Sequence, residues 1–397
     1  MDQTETAAFK RMLSKGKARS YVTVDELNAS LPQGLANHEI EDIHSMLSDM
    51  GINVVESEEA DEGERGALAM GFSDVEAAAK RIAGKAVKTP LLTFPLLEKT
   101  LGFRLLVKAE TLQLTGSFKF RGACNKLMLV REQNPSAKAV VAFSSGNHAQ
   151  GVAAAAAMLG FKATIVMPDD APRIKIENTK ALGAEVVLYK RHTESREQIC
   201  ADIAAKTGAV MVPPYDDPAI MAGQGTAGLE LCEQAEALGE KADVVIAPAS
   251  GGGLVAGVAT AVKHRWPSAE VYAAEPATCN DIQRSLAAGK RIGNAPGSLS
   301  ICDALMSPLP GELTFPVHQA LLAGGLSASD ADILKAMKFA LTRLKLVIEP
   351  GGAASLACAL LARDRFRGRT VAVVASGGNA DPEMLKRALD SEDFAFA

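Results

Sequence analysis

The chain of 397 residues is 48% apolar and 22% charged, enough to bury more than one core; its six cysteines are scattered without a C-x-x-C pair, so neither a disulfide framework nor a zinc knuckle is suggested. No run approaches the ~20 apolar residues of a membrane-spanning helix and the start lacks a secretory pattern, so a cytoplasmic location without membrane or nucleic-acid partners is expected. The net charge of −5 is uneven: residues 1–70 carry 14 acidic and 6 basic side chains, net −8, which leaves 33 acids and 36 bases, net +3, beyond them. Such asymmetry suggests two pieces of different origin.

Residues 1–56 read as a small, acidic, all-α domain. Helices are predicted over 5–17 and 40–50, and Thr23 followed by Glu26 is a capping-box start for another. On Lys15 to Asn28 and Ile40 to Glu56, this piece resembles region 1.1 of bacterial primary sigma factors. The resemblance implies an RNA polymerase contact through residues 1–70, although no DNA-binding sigma regions follow. Residues 57–70 read as a linker, acidic and poor in apolar side chains as far as Gly66, with Met70 as a second start. On this fusion hypothesis, limited proteolysis between about residues 55 and 72 should leave full activity in the C-terminal piece; loss of activity would refute it.

From Asp74 onward, short apolar runs alternate with amphipathic or Ala-rich segments. Strands are predicted over 103–108, 139–143, 163–167, 185–188, 244–247, 270–274 and 370–375. Helices are predicted over 74–82, 120–131, 147–159, 173–182, 195–207, 224–237, 254–263, 329–344 and 352–362. This alternation implies an α/β fold with parallel sheets covered on both faces.

Within that pattern, Lys119 stands in Thr115-Gly116-Ser117-Phe118-Lys119-Phe120-Arg121-Gly122-Ala123, among hydroxyls and glycines that suit an anion or imine site. A solvated surface lysine is the equally weighted alternative on these residues alone. Three glycine loops follow strand-like runs: Ser144-Ser145-Gly146-Asn147-His148, Ser250-Gly251-Gly252-Gly253-Leu254 and Ser376-Gly377-Gly378-Asn379. Each alone is as readily a structural turn as a ligand site, but three at strand C-terminal ends are a better signal, because ligands of open α/β sheets bind there. A rival is a dinucleotide fingerprint, Gly251-x-Gly253-x-x-Ala256 with Glu275 downstream, that is, an NAD-dependent dehydrogenase. Gly223-Gln224-Gly225-Thr226-Ala227-Gly228 fits the same pattern without a preceding strand. The dehydrogenase reading leaves Lys119 and the Ser376 loop without a role.

Taken together, these motifs resemble fold-type II pyridoxal-phosphate enzymes of the threonine/serine dehydratase and serine racemase family, over residues 71–397. The resemblance implies a two-lobed α/β fold with parallel-rich sheets, a small lobe at 139–216 inserted between 71–138 and 217–397, and a homodimer. It implies pyridoxal 5′-phosphate as cofactor, with Lys119 forming the internal aldimine and, once freed, taking the α-proton. Ser250, Gly251, Gly252, Gly253 and Leu254 would wrap the phosphate, Ser250 standing where the family usually has Gly. Asn147 would bond the ring hydroxyl and Ser376 the pyridine nitrogen, while Ser144, Ser145, Gly146, Asn147 and His148 hold the substrate α-carboxylate. Ser145 matches the acid or base of the racemases; a plain helix cap is its alternative. Arg196 matches an arginine that meets a second carboxylate, against an exposed helix arginine. Glu275, Asp281 and the Cys279 carbonyl match a site for Mg²⁺ or Ca²⁺. The expected activity is an ammonia-lyase acting on L-threonine or L-serine, with serine racemase or threo-3-hydroxyaspartate dehydratase as alternatives. The chain ends soon after Asn379, so an amino-acid-binding regulatory domain with isoleucine feedback is not expected.

Overall fold

The computed structural model describes residues 9, 12–15, 21–31, 43, 46–47, 53–55, 68–171, 173–191 and 193–396. The chain folds as two compact units, Met1–Leu68 and Ala69–Ala397. In the first, β1 (Tyr21–Thr23) pairs in parallel with β2 (Asn53–Val55). This corrects the all-α expectation: Val22, Thr23, Val54 and Val55 are β-branched and favour extended backbone. α1 (Val24–Ser30) starts on the expected capping box, Glu26 N donating to Thr23 Oγ1 at 3.1 Å and Thr23 N to Glu26 Oε2 at 3.3 Å. Phe9, Met12, Val22, Leu27, Ile43 and Leu47 pack as its core. Most of the helices expected over 5–17 and 40–50, and the linker through Gly66, lie outside the described residues.

The second unit begins with α2 (Phe72–Ile82), β3 (Leu91–Thr93), β4 (Arg104–Ala109) and α3 (Lys119–Gln133). There follow β5 (Ala139–Phe143), α4 (Asn147–Leu159), β6 (Lys162–Pro168), α5 (Arg173–Ala181), β7 (Glu185–Tyr189), α6 (Arg196–Thr207) and β8 (Val210–Met211). The chain continues through α7 (Pro218–Ala237), β9 (Val244–Pro248), α8 (Gly253–Arg265), β10 (Glu270–Pro276), α9 (Asp281–Ala288), α10 (Thr314–Leu321) and β11 (Gly324–Ala328). It closes with α11 (Asp330–Phe339), α12 (Pro350–Leu361), β12 (Thr370–Ala375) and α13 (Pro382–Asp390).

The large sheet is ordered β11-β10-β9-β12-β4-β3, parallel except for the antiparallel edge strand β3; the small sheet, β7-β6-β5-β8, is parallel throughout. Central strands are apolar on both faces because helices cover both. Leu105, Val107, Val244, Ile246, Val371 and Val373 pack on one side, while Leu106, Val245, Ala247, Ala372 and Val374 pack on the other. In the small sheet, Val140, Ala142 and Ile165 face α3 and α4, and Val141 and Val166 face Cys200 of α6.

Several elements escape the sequence pattern. β11 is a Gly-Gly-Leu-Ser-Ala segment that reads as a turn, and α10 carries Pro316 inside its first turn. α7 starts six residues before the predicted Gln224, on an Asp217 N-cap that accepts Ile220 N at 3.0 Å, with Pro218 next. Gly223, Gly225 and Gly228 therefore lie inside a helix, not in a nucleotide loop. A Cβ at Gly223 would stand 2.8 Å from the Arg121 carbonyl oxygen, and one at Gly225 2.8 Å from that of Gly257. The stripe lets α7 approach α3 and α8 at backbone contact.

Candidate active site

Lys119 is the first residue of α3, and the turn before it is pinned to the end of β12. Thr115 adopts φ 62° and Gly116 φ 72°. Ser117 bridges Gly377, Phe118 N donates to the Ser376 carbonyl at 3.0 Å, and Gly378 N donates to the Gly116 carbonyl at 2.9 Å. A Cβ at Gly116 would lie 2.5 Å from Asn379 Oδ1, so the lysine turn and the Ser376 loop fit together only with glycine there. Asn379 Nδ2 donates to the Thr115 carbonyl at 2.8 Å and to Asn147 Oδ1 at 2.8 Å. Asn147 Nδ2 donates in turn to Glu349 Oε1 at 2.5 Å and keeps one further N–H.

The amine of Lys119 donates to the Pro214 carbonyl at 2.5 Å, and burial lowers its pKa to about 7. It is therefore substantially neutral near physiological pH. His148, on α4, is lowered to about 3 by burial and then by the Lys119 charge, and stays neutral too. Burial pushes the Glu349 carboxyl up to about 7, and its neighbour Asp303 adds to that.

Two helix starts carry free donors. Among the described residues no acceptor is found for the N–H groups of Ser145, Asn147 and His148, or for those of Ser250 through Val255. Both runs precede or open helices, α4 and α8, where unpaired donors and the helix dipole favour an anion. Buried polar atoms without a partner include Thr115 Oγ1, Ser117 Oγ and Gln224 Oε1. Gln224 approaches Gly253, where a Cβ would stand 2.8 Å from its Oε1. Anion cradle, unpartnered buried hydroxyls and a neutral lysine amine are the features a phosphorylated aldehyde cofactor requires, so the residues present fit pyridoxal 5′-phosphate. Lys119, Asn147, the Ser250–Leu254 loop and Ser376 would hold it.

Arg196 opens α6 and lines a cavity of about 260 Å³ with Phe143, Pro213, Pro214, Tyr215 and Arg291. Its guanidinium lies 4.7 Å from the Phe143 ring centroid and bonds Glu197 Oε1 at 2.8 Å. The cavity thus adjoins Pro214, which meets the Lys119 amine, and Phe143, which leads into the Ser144–His148 loop.

The proposed metal ligands are engaged differently. Glu275 is fully buried and its two oxygens accept Ile282 N at 2.9 Å and Gln283 N at 2.8 Å, at the start of α9. This also removes it from any ribose-binding role in the dehydrogenase reading. Asp281 accepts Asn294 Nδ2 at 2.7 Å, and its other oxygen is buried without a partner. Burial raises Glu275 to about 8 and Asp281 to about 6. Among the described residues no three His, Cys, Asp or Glu side chains gather to hold a metal; the Cys279 contribution expected above is a carbonyl, which such a grouping of side chains does not include.

Sequence reading missed Glu349, Asp216, Thr314 and His318. Glu349 precedes a proline that starts α12, a helix-start signal that gives no hint of its contact with Asn147.

Residues 82–377 match the family described as pyridoxal-phosphate dependent enzyme, and residues 3–79 match sigma-70 factor, region 1.1. The chain is 42% identical to an L-threo-3-hydroxyaspartate ammonia-lyase from Pseudomonas sp, over 79% of this chain and 96% of that protein. It is 38% identical to a serine racemase from Schizosaccharomyces pombe, over 79% of this chain and 95% of that one. The solved T.th. threonine deaminase superposes with TM-score 0.74 at 44% identity, covering 78% of this chain and 99% of the other. No described helix is long and apolar enough to cross a membrane.

Proposed function

This chain belongs to the pyridoxal-phosphate dependent enzymes, in their ammonia-lyase and racemase branch, and on that premise we propose that it deaminates a β-hydroxy amino acid bearing a second carboxylate, L-threo-3-hydroxyaspartate. The observation that carries the substrate is Arg196, a guanidinium at the wall of the cavity beside the Lys119 amine. Sequence motifs alone favour L-threonine or L-serine, and likeness to a threonine deaminase keeps that second reading.

Bound cofactor supplies the electron sink for charge developing at the substrate Cα. The protein's own groups do the rest. The free N–H donors of Ser145, Asn147 and His148 receive the α-carboxylate at the start of α4. Lys119, neutral near pH 7, takes the α-proton. Loss of the β-hydroxyl as water, followed by hydrolysis, leaves a 2-oxo acid and ammonia. Ser145, if it faces the opposite side of Cα from Lys119, would return the proton with inversion, so racemisation is the competing outcome. Arg196 would exchange its Glu197 partner for the distal carboxylate.

The test is a panel of L-threonine, L-serine, D-serine and the hydroxyaspartates, scored for oxo acid, ammonia and inverted amino acid. Arg196→Ala should lower kcat/KM for L-threo-3-hydroxyaspartate about 30-fold and leave L-threonine within about threefold, a charged hydrogen bond being at stake. Equal loss on both substrates would remove the role given to Arg196.

A further inference from the structure

The cradle loop Ser250–Leu254 is held from behind by α10. Thr314 Oγ1 donates to the Gly251 carbonyl at 2.6 Å. His318, one turn further along the same helix and fully buried, has Nε2 3.0 Å from the Gly252 carbonyl. A carbonyl only accepts, so Nε2 carries a proton; burial lowers the ring's pKa to about 4, which keeps it neutral near pH 7. A Cβ at Gly252, where φ is 95°, would collide with the His318 ring, so the contact is built for glycine.

These two bonds set more than two carbonyls. The chain has no cis peptides among its described residues, and across a trans peptide the carbonyl and the following N–H point in opposite directions. Tying back the Gly251 carbonyl therefore turns the Gly252 N–H away from α10; tying back the Gly252 carbonyl, which also accepts Ala256 N at 3.0 Å as the first bond of α8, does the same for the Gly253 N–H. The helix that supplies the ties is itself anchored. Asp216 accepts Glu312 N at 2.9 Å, Leu313 N at 2.8 Å and Thr314 N at 3.3 Å, so the start of α10 is fixed to the Pro213–Asp217 segment. That segment also supplies the carbonyl that meets the Lys119 amine. Two further ties hold the loop, Gly311 N donating to the Gly251 carbonyl at 3.1 Å and Ser307 N donating to Ser250 Oγ at 2.9 Å.

We propose that His318, seconded by Thr314, is a positioning residue for the cofactor phosphate: its Nε2–H bond to the Gly252 carbonyl holds the Gly253 N–H aimed at the phosphate. This rests on assigning the Ser250–Leu254 loop to that phosphate, and not on the identity of the substrate.

The experiment measures binding of pyridoxal 5′-phosphate and of unphosphorylated pyridoxal to the full-length apoprotein, for the parent, His318→Leu, His318→Gln and Thr314→Val. The ³¹P resonance of bound pyridoxal 5′-phosphate is a second readout, and apoprotein unfolding in urea a third. His318→Leu should weaken pyridoxal 5′-phosphate about tenfold, leave pyridoxal unchanged and shift the ³¹P resonance. His318→Gln, whose amide can donate in the place of Nε2, should recover most of the affinity. Thr314→Val should behave as a milder His318→Leu. Equal weakening of both ligands, or lost apoprotein stability with unchanged phosphate affinity, would make His318 merely structural and overturn the proposal. A parent that binds the two ligands equally well would remove the loop assignment instead, and the proposal with it.

Discussion

Lys119→Ala should lower kcat by about 10⁴-fold or more on every substrate the parent turns over, because one substitution removes both the covalent anchor for the cofactor and the base for the α-proton. The visible absorbance of attached cofactor should vanish in the same variant. Stability should change little, since the amine makes one hydrogen bond, to the Pro214 carbonyl, and is held neutral by burial near pH 7. The pH dependence separates this lysine from an ordinary one. A neutral amine is needed to attack the cofactor aldehyde, and burial brings its pKa from 10.5 to about 7. Recombination of apoprotein with pyridoxal 5′-phosphate should therefore accelerate as pH rises through about 7 and level off above it. A solvated lysine would keep accelerating past pH 10. His148, lowered to about 3, adds no second step in that range. Turnover surviving in Lys119→Ala, or a rate still climbing at pH 9.5, would sink the assignment.

How legible the fold was depends on which physical signal each element carries. The buried parallel strands β4, β9 and β12 read as continuous apolar runs because both faces are covered, and their predicted bounds hold to within a residue or so. β11 has no such run, and pairs with β10 through a Gly-rich backbone that packs few side chains. The dipeptide Asp217-Pro218 is a helix-start signal that a glycine-centred reading of the same stretch passed over, with α7 begun too late in consequence. At the proposed site, Lys119, Asn147 and the loop from Ser250 lie in short motifs and are each recognisable locally. Glu349, Thr314 and His318 meet residues 202, 63 and 66 positions away in the chain, and no local pattern records such a meeting. The Glu275 fingerprint failed for the converse reason. Its spacing is that of a ribose ligand, yet its oxygens are consumed by two backbone donors of α9.

Arg121→Met should destabilise the C-terminal unit by about 3–5 kcal/mol, the cost of leaving a buried charge without its partner. Arg121 is fully buried, and its donors reach Glu110 at 2.7 and 2.8 Å, Glu230 at 2.7 Å through both terminal nitrogens, and Thr226 Oγ1 at 3.2 Å. Lys108 completes the cluster, bonding Glu230 at 2.7 Å and Gln234 at 2.9 Å. Two cations and two carboxylates thus offset one another in a largely buried cluster, Glu230 alone being partly exposed. Burial alone would raise the Glu110 carboxyl, but the Arg121 charge and hydrogen bonds outweigh it and hold the group below its usual range. Methionine fills similar volume and supplies no charge, which leaves Glu110 to protonate or to break the packing. Its folded pKa should then rise above the unfolded one, so the folded state would bind the extra proton. The deficit of Arg121→Met should consequently grow as pH rises above the usual carboxylate range, and shrink toward pH 5. Adding Glu110→Gln should recover part of the loss, because the uncompensated charge goes with it. Urea unfolding at pH 5 and pH 8 measures all of this. A loss below about 1 kcal/mol, or one independent of pH, would mean that solvent reaches the cluster. Cofactor attachment should weaken alongside stability, since Arg121 stands two residues beyond Lys119 and fixes the first turn of α3 on which that amine is carried.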